Sequence, residues 1–189
     1  MNGQPDLFAQ TPGTPQGFRY RAGFFTSEEE RELARNLAAL PFQPFEFHGF
    51  LGNRRVVSFG WRYVFDGRGL EQAEPMPDFL LPLRDRAAAF AGVEPGLLEH
   101  VLLTEYQPGA AIGWHRDRSV FGDVIGLSLL SPARLRFRRR EGPKWQRAAI
   151  DVEPRSAYLM TGPARTEWEH SIPAVESLRY SITFRTLRT

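Results

Sequence analysis

The second half of the chain reads as a series of short strands, and that leaves few folds open. From His100 onward come "HVLLTEY", "VIGLSLL", "RLRFRRR", "RAAIDV", "SAYLM" and "RYSITFRTL", each five to nine residues long and set apart by turn-forming residues. One strand of that length buries too little to stand alone, and strands at such close spacing pair antiparallel and close on one another. Helical patterns come before them. "TSEEERELARNLAAL" offers Thr26 or Ser27 as N-cap, puts glutamates in its first turn and repeats Leu33, Leu37 and Leu40 at helical spacing. A second helix fits Asp78 to Phe90, with Pro82 restricting where it begins. Between the two, "RRVVSFGWRYVFDGRG" alternates, is rich in β-branched and aromatic residues and ends in a turn signal, which predicts a hairpin. The expected fold is α+β: a jelly-roll barrel, the double-stranded β-helix, with N-terminal helices packed outside it.

At 189 residues there is room for one sizeable domain and not comfortably for two. Residues 1–17, "MNGQPDLFAQTPGTPQG", are rich in Gly, Pro and Gln and predict a tail without fixed structure, so the domain is expected over 18–189. No run approaches a membrane span, and no signal-peptide pattern opens the chain. The absence of cysteine excludes disulfides and thiolate metal sites, and it fits a monomer in a reducing cytoplasm. Any metal must therefore be held by imidazole or carboxylate. Net charge is only +2, and Lys144 is the one lysine among 24 cationic side chains. Arginine forks suit carboxylates and phosphates, but a GC-rich coding genome yields the same bias, so charge alone does not identify a nucleic-acid partner.

The four histidines are sparse enough to weigh singly. In "GWHRDR", His115 and Asp117 stand two apart. In an extended strand they project to the same face with Arg116 turned away. The only later histidine is His170, in "TEWEHSIP". Two histidines and a carboxylate on one face, with open positions opposite, form the facial triad of non-heme iron(II) oxygenases. A lone HxD is also compatible with a surface hydrogen bond. The kinase "HRD" loop fails locally: Gly122 stands where its asparagine belongs, and no glycine-rich ATP loop precedes it. His48, in "FEFHGF", and His100 lack partners at ligand spacing and are expected to be structural. Glu169, beside His170, should point outward.

"RYSITFR" strengthens the oxygenase reading. Arg179, Ser181, Thr183 and Arg185 share one face, and Tyr180, Ile182 and Phe184 share the other. Two arginines inside a small barrel are costly without anions. A dicarboxylate such as 2-oxoglutarate would place one carboxylate on a bidentate arginine and the other at the metal. An exposed edge strand with solvated arginines is the plain alternative.

The pieces "EYQPGAAIGWHRD", "VIGLSLL", "RSAYLMTGPAR", "EWEHSI" and "RYSITFR" together resemble the AlkB family of iron(II)- and 2-oxoglutarate-dependent dioxygenases, from about Phe18 to the C-terminus. The resemblance implies Fe(II), 2-oxoglutarate and dioxygen as cofactor and co-substrates, and His115, Asp117 and His170 as metal ligands. It implies Arg179 as the clamp on the distal carboxylate, Tyr106 donating beside it, and Arg185 near the metal-side carboxylate and the substrate. Thr104 stands where many members carry an asparagine that contacts the co-substrate, and it reaches less far. The implied reaction is hydroxylation of a C–H bond. On an N-methyl group it ends in loss of formaldehyde, as in repair of alkylated DNA or demethylation of RNA; on an ordinary carbon it leaves an alcohol.

Residues of about 52–67 fall where this family places a substrate lid. Arg54 and Arg55 are candidates for phosphate contacts, and Trp61 and Tyr63 share a face that can stack on a flipped base. Core packing under a hairpin is the alternative for both aromatics. "SVFGDVIGLSLL" and "EWEH" look closer to the tRNA wobble-uridine hydroxylase branch, and Ser119 occupies a place where repair enzymes often carry an acid. Hydroxylation of a tRNA nucleoside or a protein side chain therefore stays open, as does a metal-free binding module. Finally "QPDLF", Gln4 to Phe8, is similar to the short motif with which bacterial DNA-maintenance proteins dock on the sliding clamp, so that clamp is a candidate partner.

Overall fold

The computed structural model describes residues 13–47, 50–64 and 68–188. His48 and the Gln4–Phe8 motif lie outside them. Strand β1 (Phe18–Arg21) leads into helix α1 (Ser27–Ala38), followed by β2 (Gln43–Phe47), β3 (Phe50–Phe59), β4 (Trp61–Val64) and β5 (Gly69–Gln72). A 3-10 turn over Asp78–Leu80 opens helix α2 (Leu81–Ala91). The remainder is β6 (His100–Tyr106), β7 (Ile112–His115), β8 (Phe121–Leu129), β9 (Ala133–Glu141), β10 (Lys144–Val152), β11 (Ser156–Met160), the single-turn α3 (Gly162–Thr166), β12 (Glu169–Ile172) and β13 (Arg179–Leu187). The strands form a seven-stranded sheet, β1-β11-β8-β13-β6-β3-β2, a four-stranded sheet, β10-β9-β12-β7, and the separate pair β4-β5. This is a double-stranded β-helix.

Two apolar layers hold it together. One lies between the helices and the outer face of the large sheet, where Leu33, Leu37, Leu80 and Phe90 meet Leu103, Ile125, Leu127, Ile182 and Phe184. The other lies between the two sheets and contains Phe18, Val124, Leu135, Phe137, Met160 and Ile172. The alternation of "RYSITFR" sorts its residues between helix layer and barrel interior, as expected. Helix α1 carries a complete capping box: the Thr26 hydroxyl accepts from Glu29 N, and the Glu29 carboxylate accepts from Thr26 N. Such a cap is worth about 1 kcal/mol.

The expected single hairpin over Arg54–Gly69 is instead divided. Strand β3 joins the large sheet between β2 and β6, and only β4 and β5 form a hairpin. Gly60 makes the break, at φ +75, where a Cβ would lie 1.9 Å from the Glu99 carbonyl oxygen. No other residue fits there, and the chain leaves the sheet at that point. The segment expected as a lid, about 52–67, is thus divided between strand β3 of the large sheet and the β4–β5 pair. At the N-terminus, part of the stretch expected as tail is tied down: Gln16 O accepts from Ala164 N and Gly17 O from Thr161 N.

Candidate active site

His115, Asp117 and His170 come together as the HxD…H order requires. Their ligand atoms all lie within 4.8 Å of one another. The route differs from the expected one, because β7 ends at His115 and Asp117 sits in the loop beyond it. Strand parity therefore does not place Asp117; the loop does. Sheet register places the histidines, with His170 directly opposite His115 and their rings 4.2 Å apart. Asp117 Oδ1 stands 3.6 Å from His115 Nε2 and 3.9 Å from His170 Nε2. The Nδ1–H of His115 donates to the Gly113 carbonyl at 2.8 Å, so the Nε2 lone pair faces the cluster.

The three groups are poised as ligands. Burial and then the neighbouring His115 hold His170 down at a pKa of about 3, so it is neutral. Burial pushes Asp117 up, but Arg185 and the two histidines outweigh it, and its carboxyl stays well below the usual range. The Arg185 Nε–H donates to Asp117 Oδ2 at 2.8 Å, which leaves Oδ1 turned to the imidazoles. Two neutral imidazoles and one carboxylate oxygen suit a borderline divalent ion. Iron(II) fits this donor set.

The co-substrate positions converge on the same interior. Arg179, Tyr106, Thr104, Ser181 and Ser128 lie on facing rungs of β13, β6 and β8. Arg179 is fully buried. Its Nε donates to Ser128 Oγ at 3.0 Å and its guanidinium stands 5.0 Å over the Tyr106 ring, yet Nη1 and Nη2 have no hydrogen-bond partner. Two unmet donors on a buried cation cost about 1–3 kcal/mol each. A carboxylate completes them, so the distal end of 2-oxoglutarate fits this pocket. Thr104 is buried opposite Ser181.

The candidate substrate residues separate. Arg55 turns to the outer face and binds Glu105 with both nitrogens, at 2.7 and 2.9 Å, so its charge is spent on a structural ion pair. Arg54 faces inward, within hydrogen-bonding reach of Tyr106 and 3.8 Å above the Phe45 ring. Tyr63 lies under the guanidinium of Arg118, one residue beyond Asp117, at 5.0 Å. Trp61 shares the β4 strand with it, half-buried, and Ser119 is exposed. Glu169 points outward to Arg138, as expected.

Two further residues serve the site without a local signal. Arg165 is buried and donates to the carbonyls of Arg118, Phe121 and Gly122, which pins the loop that carries Asp117. His100, expected to be structural, is 2% exposed, packs 4.6 Å from the Phe121 ring and places Nδ1 3.5 Å from Arg185 Nη1. Burial and then Arg185 hold its pKa well below 6.5. Each is joined to the site by partners more than forty residues away in sequence.

Comparison with known proteins agrees with this geometry. The family profile described as the 2OG-Fe(II) oxygenase superfamily matches residues 17–185. An Arabidopsis thaliana protein named "Alkylated DNA repair protein ALKBH8 homolog" is 30% identical over 174 residues, covering 79% of this chain and 49% of the relative. The Mus musculus "tRNA (carboxymethyluridine(34)-5-O)-methyltransferase ALKBH8" is 28% identical over 84% of this chain and 24% of its own length. The Mus musculus "Alpha-ketoglutarate-dependent dioxygenase alkB homolog 7, mitochondrial" is 30% identical over 79% of this chain and 64% of its own. The chain thus spans half or less of the two ALKBH8-named relatives. The solved structure of OsALKBH1 superposes with a TM-score of 0.70 at 14% identity, covering 92% of this chain and 98% of that one, which shows the shared fold.

Proposed function

The chain belongs to the 2OG-Fe(II) oxygenase superfamily as an AlkB-like member, and from that premise we propose that it oxidises a C–H bond on a base in nucleic acid, with oxidative demethylation of an N-alkylated base as the leading reaction. The observation that carries the reading is the pairing of the triad with Arg179, whose two unmet donors face the same barrel interior. When bound, iron(II) with 2-oxoglutarate and dioxygen supplies the oxidant for hydroxylation, and carbon dioxide and succinate leave.

The protein's part is to bind, orient and exclude. His115, Asp117 and His170 would hold the metal. Arg185 fixes the Asp117 carboxylate, and Arg179 would hold the distal carboxylate and so set the direction in which the co-substrate lies. The apolar layer between the sheets keeps bulk water out of the barrel beside them. Arg54, Trp61 and Tyr63 are the residues for the incoming base.

A second reading, hydroxylation of a tRNA nucleoside, has the support of the relatives whose printed names mention tRNA. Incubation with iron, 2-oxoglutarate and a panel of methylated DNA and RNA oligonucleotides, followed by mass spectrometry, tests both. Loss of a methyl group with formaldehyde release supports the first reading, and gain of one oxygen the second. Succinate release without change in any oligonucleotide would overturn both and turn attention to a protein side chain.

A further inference from the structure

The outer face of the four-stranded sheet carries more charge than its packing uses. Along β9, Leu135 and Phe137 point into the barrel, so Arg134, Arg136, Arg138 and Arg140 point out. Strand β10 lies beside them, with Trp145 opposite Arg140 and Arg147 opposite Arg138. Indoles and guanidiniums interleave across this face. Trp114, from β7, lies under Arg136 and Arg138 at 5.1 and 4.5 Å, and Trp145 lies under Arg138 and Arg140 at 4.5 and 5.1 Å. None of these residues serves the metal site, whose histidines project from the opposite face of β7 and β12.

Among the described residues, two carboxylates answer these five arginines. Asp151 takes Arg134 and Glu169 takes Arg138, while the Arg136 Nε donates to the Ser171 hydroxyl. Arg140 and Arg147 are exposed and have no carboxylate partner among the described residues. Like charges directly opposite on neighbouring strands, as at Arg138 and Arg147, weaken a sheet, so strand pairing gains nothing from this arrangement. An anion laid across the face removes that repulsion. Trp145 stands 37% exposed at the same place. An indole beside uncommitted guanidiniums offers a flat surface for a base and donors for its phosphate. Arginines two apart on a strand are about 7 Å apart, which matches the spacing of successive phosphates in a stretched single strand. An acidic peptide would leave the indole unused, and a duplex keeps its bases stacked away from it.

We propose that this face is a second nucleic-acid surface, which holds a single strand outside the active site with Arg140 and Arg147 on its phosphates and Trp145 under a base. It rests on the reading of the substrate as nucleic acid. Strand β7 is the edge of the small sheet, with Trp114 turned outward and His115 inward. The row Trp145, Arg138, Trp114 runs across the sheet towards that edge. A strand that rounds it keeps its flanking nucleotides on the arginines while the target base enters the barrel. The surface thus sets how tightly a long strand is held and leaves the chemistry at the metal untouched.

The test uses the full chain without metal, so that binding is read without turnover. The probe is a fluorescein-labelled, unmodified single-stranded RNA of about 16 nucleotides, the upper end of single-strand site sizes. Its anisotropy is followed across a salt series, and each variant's melting temperature is taken beside the wild type's. Each phosphate contact adds about 0.7 to the slope of log affinity against log salt. Replacing both Arg140→Gln and Arg147→Gln should therefore take about 1.4 from that slope and weaken binding about ten- to a hundred-fold at about 50 mM salt. Trp145→Ala should weaken binding about five- to a hundred-fold with the slope unchanged, because it removes a stack and no charge. Arg31→Gln with Arg35→Gln makes the same change of net charge on exposed positions of α1 and should leave affinity within about two-fold. A wild type that binds no strand, an equal loss in both arginine pairs, or a duplex held more tightly than the single strand overturns the proposal. If the face binds as expected and yet no oligonucleotide is oxidised with iron and 2-oxoglutarate, the surface stands and the base-oxidation reading fails.

Discussion

Replacing Arg179 by methionine should separate stability from binding in opposite directions. In the unliganded protein the guanidinium is fully buried with Nη1 and Nη2 unmet. Methionine has similar length and no donors, so it removes two penalties of about 1–3 kcal/mol each. Against this stand the hydrogen bond to Ser128, at about 1 kcal/mol, and the stacking over Tyr106, at about 0.5–2 kcal/mol. The net is close to zero or stabilising. Binding changes the other way. Two charge-assisted hydrogen bonds of about 1.5–3 kcal/mol each vanish, which weakens 2-oxoglutarate by about two to four orders of magnitude. The assay is thermal unfolding with Mn(II), with and without the co-substrate. At a hundred times Kd the ligand adds about 2.7 kcal/mol to the wild type. For a chain of this size that is a rise of roughly 5–11 °C. Arg179→Met should show no rise at the same concentration. The reasoning is refuted if the variant's melting temperature still climbs with 2-oxoglutarate as the wild type's does, or if its unliganded form has lost more than about 2 kcal/mol.

Three further outcomes are expected. His115→Ala or Asp117→Ala should abolish succinate formation and leave the far-UV circular dichroism spectrum unchanged; full turnover in either would remove the triad assignment. Arg55→Ala should lower stability by about 1–2 kcal/mol, because the buried Glu105 carboxylate loses its paired donor, with little effect on turnover. Arg54→Ala should do the reverse, so the ratio of stability loss to activity loss, measured for both, tells the two apart. The metal-free protein should be acid-labile. His170, held at about 3, takes up no proton in the folded state near pH 5, whereas the unfolded chain protonates it below about 6.5. Stability therefore rises with pH across that window and is lost as pH falls, by about 2 kcal/mol for His170 between pH 7 and 5, and His100, held below its usual value by burial and Arg185, acts in the same direction. Urea midpoints at the two pH values measure it, and equal midpoints would contradict the burial of both imidazoles.

The sequence by itself determined the strands of the second half, the sharing of their faces and the candidate ligand set. Alternation along "RYSITFR" is a property of the extended backbone, so it put Arg179 and Arg185 on one face and Ile182 on the other without knowledge of any partner, and the fold turned the arginine face into the barrel. The α1 cap was readable for the same reason, since Thr26 and Glu29 are three residues apart. The pair His115 and Asp117 does meet His170 in one cluster, but not by the parity argument, because β7 stops between them. What brings Asp117 round is Arg165, fastened to three carbonyls from over forty residues away. Tertiary structure alone decided where the two lid arginines go. Adjacent in sequence and alike in chemistry, Arg54 and Arg55 part to opposite faces once β3 joins the sheet beside β6, and Glu105 on that neighbour captures one of them. It also decided the surroundings of His100, beside Arg185 and Phe121. A local pattern fixes which way a side chain points, because that is set by the residue's own backbone. What it meets there is set by strand pairing between distant segments, and no window of sequence contains both halves of such a contact.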